Sequence, residues 1–415
     1  MEKQACAKPK NQLKLSKRIL LLFNYLIKNP LIGIAFFVIT SAIIISILGA
    51  NIRPDSSLDA NTQIPQISRL EPGTKIPFLK VRKNKEIIEK NFFEKLFFGG
   101  QESPFSLVPY SDYKFVDDKI LLSEYLVDST NLNDEISQAS FTLSNVIFNL
   151  NNPENQQVNN EFLQKEIEKH HLTEKTFYLG TDKHGRDMLS RLMAGTIISL
   201  SIGLVSVIIS FIVGLSLGAI AGYYGGRIDD VILWFINVVW SIPGLLLIIS
   251  LTLILGKGFT TVFIAVGLTM WVELARVVRG QVIALREMDY VIAGKVLGFS
   301  NIRIIFNHII PNLLDPVIVI CAANFATAIL IEAGLSFLGI GVQIPTPSWG
   351  AIIDQHKEYI IHAEKSFLAI IPGVLIILLV FSFMILGHHL RNVFSKKASA
   401  TVWKEKLKGA PVDSV

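Results

Sequence analysis

Cysteine is nearly absent from this 415-residue chain: Cys6 sits in a basic tail and Cys321 inside an apolar run. Two thiols in such different environments exclude a disulfide framework, and neither has the neighbours of a metal site or an activated nucleophile. The strings G-x-x-x-x-G-K-[ST], H-E-x-x-H and G-x-S-x-G are also missing, which removes the common routes to nucleotide, zinc and serine chemistry. His170-His171 and His388-His389 are adjacent pairs, so on a helix their rings face different ways. His184 beside Asp182 and Asp187 leaves a metal site open. No matching second motif accompanies it, and a solvated or hydrogen-bonded histidine fits the stretch equally well. The apolar runs lack the set of buried acids that a proton- or sodium-driven carrier uses; Glu332 is their most isolated ionisable group. Nothing points to catalysis within the chain. If it transports, its energy arrives through a partner.

What the chain has in quantity is apolar sequence. Hydrophobic residues make up 51% of it, and the mean hydropathy is +0.47. Several runs are long enough to cross the roughly 30 Å of a bilayer's hydrocarbon as helices. Charged residues are 18%, with a net charge of +5, and their location matters more than their number. Lys14, Lys17, Arg18 and Lys28 precede the first run; Arg276, Arg279, Arg286, Lys295 and Arg303 fill a central loop; Arg391, Lys396, Lys397, Lys404, Lys406 and Lys408 follow the last run. Basic clusters that flank short spans mark a cytoplasmic side rather than a nucleic-acid surface.

Leu31 to Ala50 is the first span, and it is too long for the apolar core of a cleaved signal peptide. Residues 51–176 then turn polar, with scattered aromatics (Phe92, Phe93, Phe97, Phe98, Tyr110, Tyr113), a Gly99-Gly100 pair and an Asn/Gln-rich stretch from Asn145 to Asn160. They have the length of a small domain whose fold the sequence does not specify. Leu179 to Gly195 reads as an amphipathic helix lying at the membrane surface. The second span, Ile197 to Gly222, carries Gly214, Gly218 and Gly222 at fourfold spacing. Such a stripe suits close helix packing or a smooth pathway wall. The third span, Val231 to Leu255, holds Asn237, Trp240 and Pro243. Pro243 predicts a kink whose freed carbonyls need protein or a cavity, a packing feature or a pathway wall. Phe259 to Val278 and Leu313 to Phe337 are the fourth and fifth spans. Glu332 in the fifth either meets substrate or pairs with a backbone or an arginine in the bundle. Leu338 to Lys365 is too polar to cross, and Trp349 suits an outer interface. Phe367 to Gly387 is the sixth span. With both termini inside, residues 51–176 lie outside as an insert, and the central loop lies inside.

Within that loop, Met288 to Pro311 reads as helix, sharp turn, helix. Gly298 supplies a residue at ease with positive φ, Ser300 an N-cap, and Pro311 a restriction on the residue before it. A helical knob between two spans is either a docking piece or a plain connector. Its string resembles a known motif, E-A-A-x-x-x-G followed after nine residues by I-x-L-P. Here it runs Ile292-Ala293-Gly294, Lys295-Val296-Leu297, Gly298, then Phe299 to Asn307, then His308-Ile309-Ile310-Pro311. Leu179-Gly180-Thr181-Asp182, Gly222-Tyr223-Tyr224-Gly225-Gly226, Ala275-Arg276-Val277-Val278-Arg279 and Glu332-Ala333-Gly334-Leu335-Ser336-Phe337-Leu338-Gly339 with Pro347-Ser348-Trp349-Gly350 follow the same pattern in order. Together they resemble the permeases of binding-protein-dependent ABC importers, in particular the C-type subunit of oligopeptide and dipeptide systems.

The resemblance implies an all-α polytopic membrane protein, with six transmembrane helices of the MetI-like permease type and an extracytoplasmic insert between helices 1 and 2. In its terms, residues 1–30 are a basic cytoplasmic tail, 31–50 the first span, 51–176 the insert, 177–390 a five-helix permease core with its coupling loop at 280–311, and 391–415 a second basic tail. It implies a subunit of the bacterial inner membrane, working with a homologous second permease, two ATP-binding subunits and an extracytoplasmic binding protein. The chain itself would bind no cofactor, since ATP and Mg belong to the partner ATPase. Coupling would run through Tyr290, Ile292, Ala293, Gly294, Leu297, Gly298, His308 and Pro311. Ile292 stands where the motif has Glu, and Gly294 where it has its second Ala, so a charged contact made by that Glu does not carry over. Substrates implied by the resemblance are peptides, with nickel or another small solute as the alternative; a self-contained channel or carrier is the reading outside the family.

Overall fold

In hydrocarbon only a helix satisfies its own backbone, and the apolar runs fold accordingly. The computed structural model describes residues 29–408 except 86, 88–89, 92–93, 96–99, 126–137, 149–158 and 257, with backbone alone for 392–408. The basic residues before 29, Phe92, Phe93, Phe97, Phe98, Gly99, part of the Asn/Gln-rich stretch and the side chains of the last lysines lie outside the described residues. Helix α1 (Pro30–Ile52) opens on Pro30, whose missing N–H falls where the first turn has no partner to lose.

The described part of the segment after α1 is built on a five-stranded antiparallel sheet of order β4-β3-β2-β1-β5. Its strands are β1 (Thr74–Arg82), β2 (Phe105–Val116), β3 (Lys119–Glu124), β4 (Gln138–Thr142) and β5 (Leu172–Phe177). The all-helical class therefore describes the spans and needs correcting for the insert. Strand alternation is the physical reason. In β1, Ile76 and Phe78 point one way into a cluster with Ile64, Ile67, Leu70 and Phe177, while Leu79 points the other way onto Ile120, Leu122, Leu143 and Leu163. Short helices α2 (Leu143–Ile147) and α3 (Asn160–Glu166) cover that second face. Val116 lies opposite Lys119, so Asp117 and Asp118 form a two-residue hairpin turn, with Asp117 at φ 52°.

The insert is fastened to the spans by buried charge. Leu179 to Gly195 is no surface helix: residues up to Asp187 form a buried turn, and α4 (Met188–Tyr224) starts with Asp187 as its N-cap. Arg186 Nε donates to Asp182 Oδ2 at 2.6 Å, Nη1 to Asn61 Oδ1 at 3.0 Å and Nη2 to Gln355 Oε1 at 2.9 Å. Arg191 Nη1 donates to the Pro345 carbonyl at 3.1 Å. A buried ion pair of this kind is tolerated because the guanidinium finds acceptors for its fork. The His184 N–H donates to Asp182 as well, so this carboxylate is committed to Arg186 and the backbone rather than to a metal. His356 is buried beside the cluster. Burial holds its imidazole below the ordinary histidine value, and its Nε2 accepts from the Lys183 N–H at 3.4 Å, the role of a neutral ring.

The remaining helices are α5 (Gly226–Ser241), α6 (Gly244–Leu255), α7 (Phe259–Arg286), α8 (Asp289–Val296), α9 (Asn301–Ile304), α10 (Ile310–Phe337), α11 (Trp349–His356) and α12 (Phe367–Lys408). Among the described residues, five helices are long and apolar enough to cross a membrane, and α5 with α6, bent by 88°, makes a sixth if the pair is one crossing. The packing of α4 on α7 decides this. Gly214 meets Trp271 and Leu274, Gly218 meets Ala275 and Val278, and Gly222 meets Arg279 and Val282. The two numberings rise together, so α4 and α7 run parallel and α5–α6 must bring the chain back between them. The kink expected at Pro243 is thus a full break in one crossing. The fourth span also runs on to Arg286, so residues 280–286 are helix rather than loop. Trp349, expected at an outer interface, is buried, its indole N–H donating to the Leu192 carbonyl at 3.0 Å.

The glycine seam yields a direct test. A Cβ at Gly218 would lie 2.5 Å from the Ala275 carbonyl oxygen, whereas one at Gly280 meets nothing within 4 Å. Gly218→Ile should cost about 1–3 kcal/mol or more through overpacking, and Gly280→Ala should be neutral or stabilising by up to about 1 kcal/mol. Thermal unfolding of the detergent-solubilised chain measures both.

Candidate functional site

At the end of the bundle away from the insert, the chain leaves α7, makes a compact knob and returns as α10. The long helix α4, about 55 Å at 1.5 Å per residue, separates the two ends. Met288 is extended and starts α8, with Asp289 in the first turn, where a carboxylate favours the helix dipole. The helix stops at Gly298, φ +76°. There the Gly298 N–H bonds to the Lys295 carbonyl at 3.0 Å and the Phe299 N–H to the Gly294 carbonyl at 3.0 Å. This 5→2 and 6→1 pair is a Schellman stop, which needs the left-handed residue that glycine provides. A Cβ on Gly294 would only touch Phe299 Cδ2 at 3.4 Å, so the motif's second alanine would fit here as well.

Ser300 then caps the return helix, its Oγ accepting from the Arg303 N–H at 3.4 Å. The return arm does not end at Ile310. After a widened turn over Ile305–Ile309 it continues into α10, and the Ile310 N–H reaches back to the Ile305 carbonyl. Such a widening accommodates Pro311, which has no N–H to give. Asn312 Nδ2 donates to the His308 carbonyl at 2.7 Å and to the Tyr290 hydroxyl at 3.3 Å. The His308 ring stacks on Phe299, centroids 5.9 Å apart, and the Arg303 guanidinium lies 4.4 Å from the same ring.

Side chains from α4 and α7 surround the knob. The Tyr223 hydroxyl donates to Asn301 Oδ1 at 2.9 Å, and the Lys295 ammonium sits 5.3 Å from the Tyr223 ring. Arg286 Nη1 donates to the carbonyl of Gly222 at 3.2 Å, closing the free end of α4. Val291, Ile304, Ile309 and Leu313 pack with Val278 and Val282 of α7. The knob leaves apolar side chains uncovered: Val296 is 82% exposed and Leu297 71%, and Tyr290, Ile292, Ile302 and Phe306 are exposed as well. Ala293 is exposed too. Tyr290, Ile292, Ala293 and Leu297 are therefore all uncovered. Gly294, Gly298, His308 and Pro311 shape the turn and the return. The roles of Phe299 and Asn301, and the bond from Tyr223 of the Gly222–Gly226 motif to Asn301, are not legible in the sequence, although Gly-Phe-Ser is itself a stop signal followed by a cap.

The other singled-out residues lie apart from the knob. Gly214, Gly218 and Gly222 are in the α4–α7 seam. Asn237 accepts from Arg276 Nη2 at 2.7 Å on an exposed face, and Pro243 is at the α5–α6 break. Glu332 is buried and accepts from the Ser336 hydroxyl at 2.7 Å; among the described residues no arginine pairs with it.

Residues 214–395 match the family model described as binding-protein-dependent transport system inner membrane component. The chain is 35% identical over 223 residues to the oligopeptide transport system permease protein OppC of Bacillus subtilis (strain 168), covering 54% of this chain and 72% of that one. It is 40% identical over 220 residues to the dipeptide transport system permease protein DppC of Alkalihalophilus pseudofirmus, covering 53% and 72%. A chain of the MetNI methionine ABC transporter, solved in inward facing conformations, aligns at 19% identity and a TM-score of 0.41, over 49% of this chain and 95% of that one.

A Cβ at Gly298 meets nothing within 4 Å, so a side chain there is opposed by φ alone. Gly298→Val should cost at least about 1–2 kcal/mol locally, a rise of about 5–30-fold in amide exchange of α8. Exchange in the α4–α7 seam should not change.

Proposed function

We infer that this chain, which belongs to the family of binding-protein-dependent transport system inner membrane components, is the permease subunit of an importer for oligopeptides or dipeptides. Its relatives are oligopeptide and dipeptide permeases. Its several apolar crossings suit a multi-pass membrane protein. The chain forms part of the translocation pathway and works with other subunits of an ABC transporter.

The single observation that carries the finer reading is the uncovered apolar face of the knob. A contiguous apolar patch at a polar end of a membrane bundle calls for a protein partner. In our reading that partner is an ATP-binding subunit, with ATP and Mg held on it. The second half of the pathway is a homologous permease, which brings its own ATP-binding subunit. A binding protein delivers peptide at the insert end, which faces outward in the bacterial inner membrane; the knob and both chain ends face the cytoplasm, as the basic clusters favour.

Force passes through short rigid parts. The knob is stopped by the Gly298 turn and tied to α4 by Tyr223, Arg286 ties the end of α7 to α4, and α7 and α10 carry the knob into the bundle. Movement of docked ATP-binding subunits therefore tilts helices α7 and α10 rather than flexing a loop. With Ile292 in place of the motif's Glu, docking here rests on shape and apolar burial.

The experiment is co-purification and uptake. Val296→Asp with Leu297→Asp should abolish co-purification of the ATP-binding subunit and ATP-dependent peptide uptake while the chain still inserts. The wild-type chain should take up peptide without needing Ile292→Glu. Solute flux by this chain alone in liposomes, or full uptake by the double variant, would contradict the docking role.

A further inference from the structure

Helix α7 carries two arginines one turn apart that are treated very differently. Arg279 is neutralised: its Nε and Nη2 meet the Asp229 carboxylate at 2.5 Å and 2.6 Å. Arg276, one turn nearer the insert end and about 15 Å from the end of α7, has neutral partners. Its Nη2 donates to Asn237 Oδ1 at 2.7 Å, and its guanidinium carbon lies 3.3 Å from the centre of the Trp240 ring. Glu273 is exposed on the same helix three residues away, yet among the described residues no carboxylate comes within ion-pair distance of Arg276.

The surroundings favour protein or water over lipid as its neighbour. A guanidinium inside a spanning helix faces the bundle or a watery cavity. Trp240, 64% exposed, is only three residues before Pro243, where α5 breaks from α6. The broken backbone is tolerated only beside protein or a water-lined cavity. Two independent features, the arginine with its Asn237 partner and the backbone break, thus lie on one exposed stretch of α5–α6. Stacking on an indole holds a guanidinium flat and leaves its edge N–H groups directed outward, the arrangement that binds a carboxylate through two parallel bonds.

We propose that Arg276, laid on Trp240 and braced by Asn237, engages the C-terminal carboxylate of a peptide as it passes through the membrane. The proposal rests on the reading of this chain as a peptide permease. It makes Arg276 a specificity residue, and Trp240 and Asn237 its positioning residues.

The test uses the assembled transporter in liposomes with its binding protein, a labelled dipeptide and the same dipeptide as its C-terminal amide. The quantity read is the ratio of free-acid to amide uptake, in which any preference of the binding protein cancels between variants. Arg276→Gln should lower that ratio about tenfold, the loss expected for one charge-assisted contact, with the ATP-binding subunit still bound. Trp240→Leu, at an exposed position, should lower it in the same direction by less and provides the reading if Arg276→Gln does not assemble. An unchanged ratio in the assembled variants, with both uptakes falling equally or not at all, overturns the proposal and assigns Arg276 to a neighbouring subunit or a lipid phosphate. Uptake of neither peptide by the wild-type transporter overturns the peptide reading itself, and the proposal with it.

Discussion

The close approach of α4 and α7 is the constraint from which the rest of the bundle follows. Cβ atoms at Gly214, Gly218 and Gly222 would lie 2.9 Å, 2.5 Å and 2.7 Å from backbone oxygens of α7, so the helices touch backbone to backbone. In hydrocarbon, where apolar side chains gain little by leaving lipid, such contact supplies van der Waals packing that larger residues cannot. Gly267 of α7 reciprocates, its surface filled by Ile209. Because the pair is parallel, one crossing must return between them, and that crossing is the broken α5–α6. The knob then emerges beside the end of α4, where Tyr223 holds it and Arg286 binds the end of α7 to α4.

The opposite end is governed by a different economy, one of buried charge rather than close backbone. Arg186 draws Asn61 from the segment after α1, Asp182 from the turn before α4, and Gln355 from α11 into one knot. Each acceptor comes from a different part of the chain, so the guanidinium fixes the relative placement of insert, α4 and α11. Trp349 adds a nail between α11 and α4. The insert is therefore a fastened extension of that end of the bundle rather than a tethered appendage.

The legible features were local ones. The apolar runs, the four-residue glycine spacing and the helix-stop string at Gly298 each depend on neighbours within a turn or two, and the structure uses all of them as helix, seam and Schellman stop. The unread features were those whose partners lie far off in sequence. The sheet pairs β1 with β5 across the whole insert, and nothing local in Thr74–Arg82 names that partner. Asp182, Arg186 and Arg191 read as a solvated helix face because their amphipathic spacing is real, while acceptors 125 and 169 residues away bury them. Trp349 was misplaced for the same reason. Its carbonyl partner at Leu192 has no sequence signature. At the knob, spacing alone indicated the turn, but the open face of Val296 and Leu297 needed the structure, since only the packed face at Val291, Ile304 and Ile309 defines which side is left uncovered.

The central claim is that the uncovered face of α8 is where an ATP-binding subunit docks. A photo-crosslinking residue at Val296, in the assembled transporter in its native membrane, tests it most directly. The account predicts a crosslink to the ATP-binding subunit that is absent from the same residue placed at Ile208, on the exposed flank of α4. Crosslinking at Val296 to lipid alone, or none to that subunit, would contradict it.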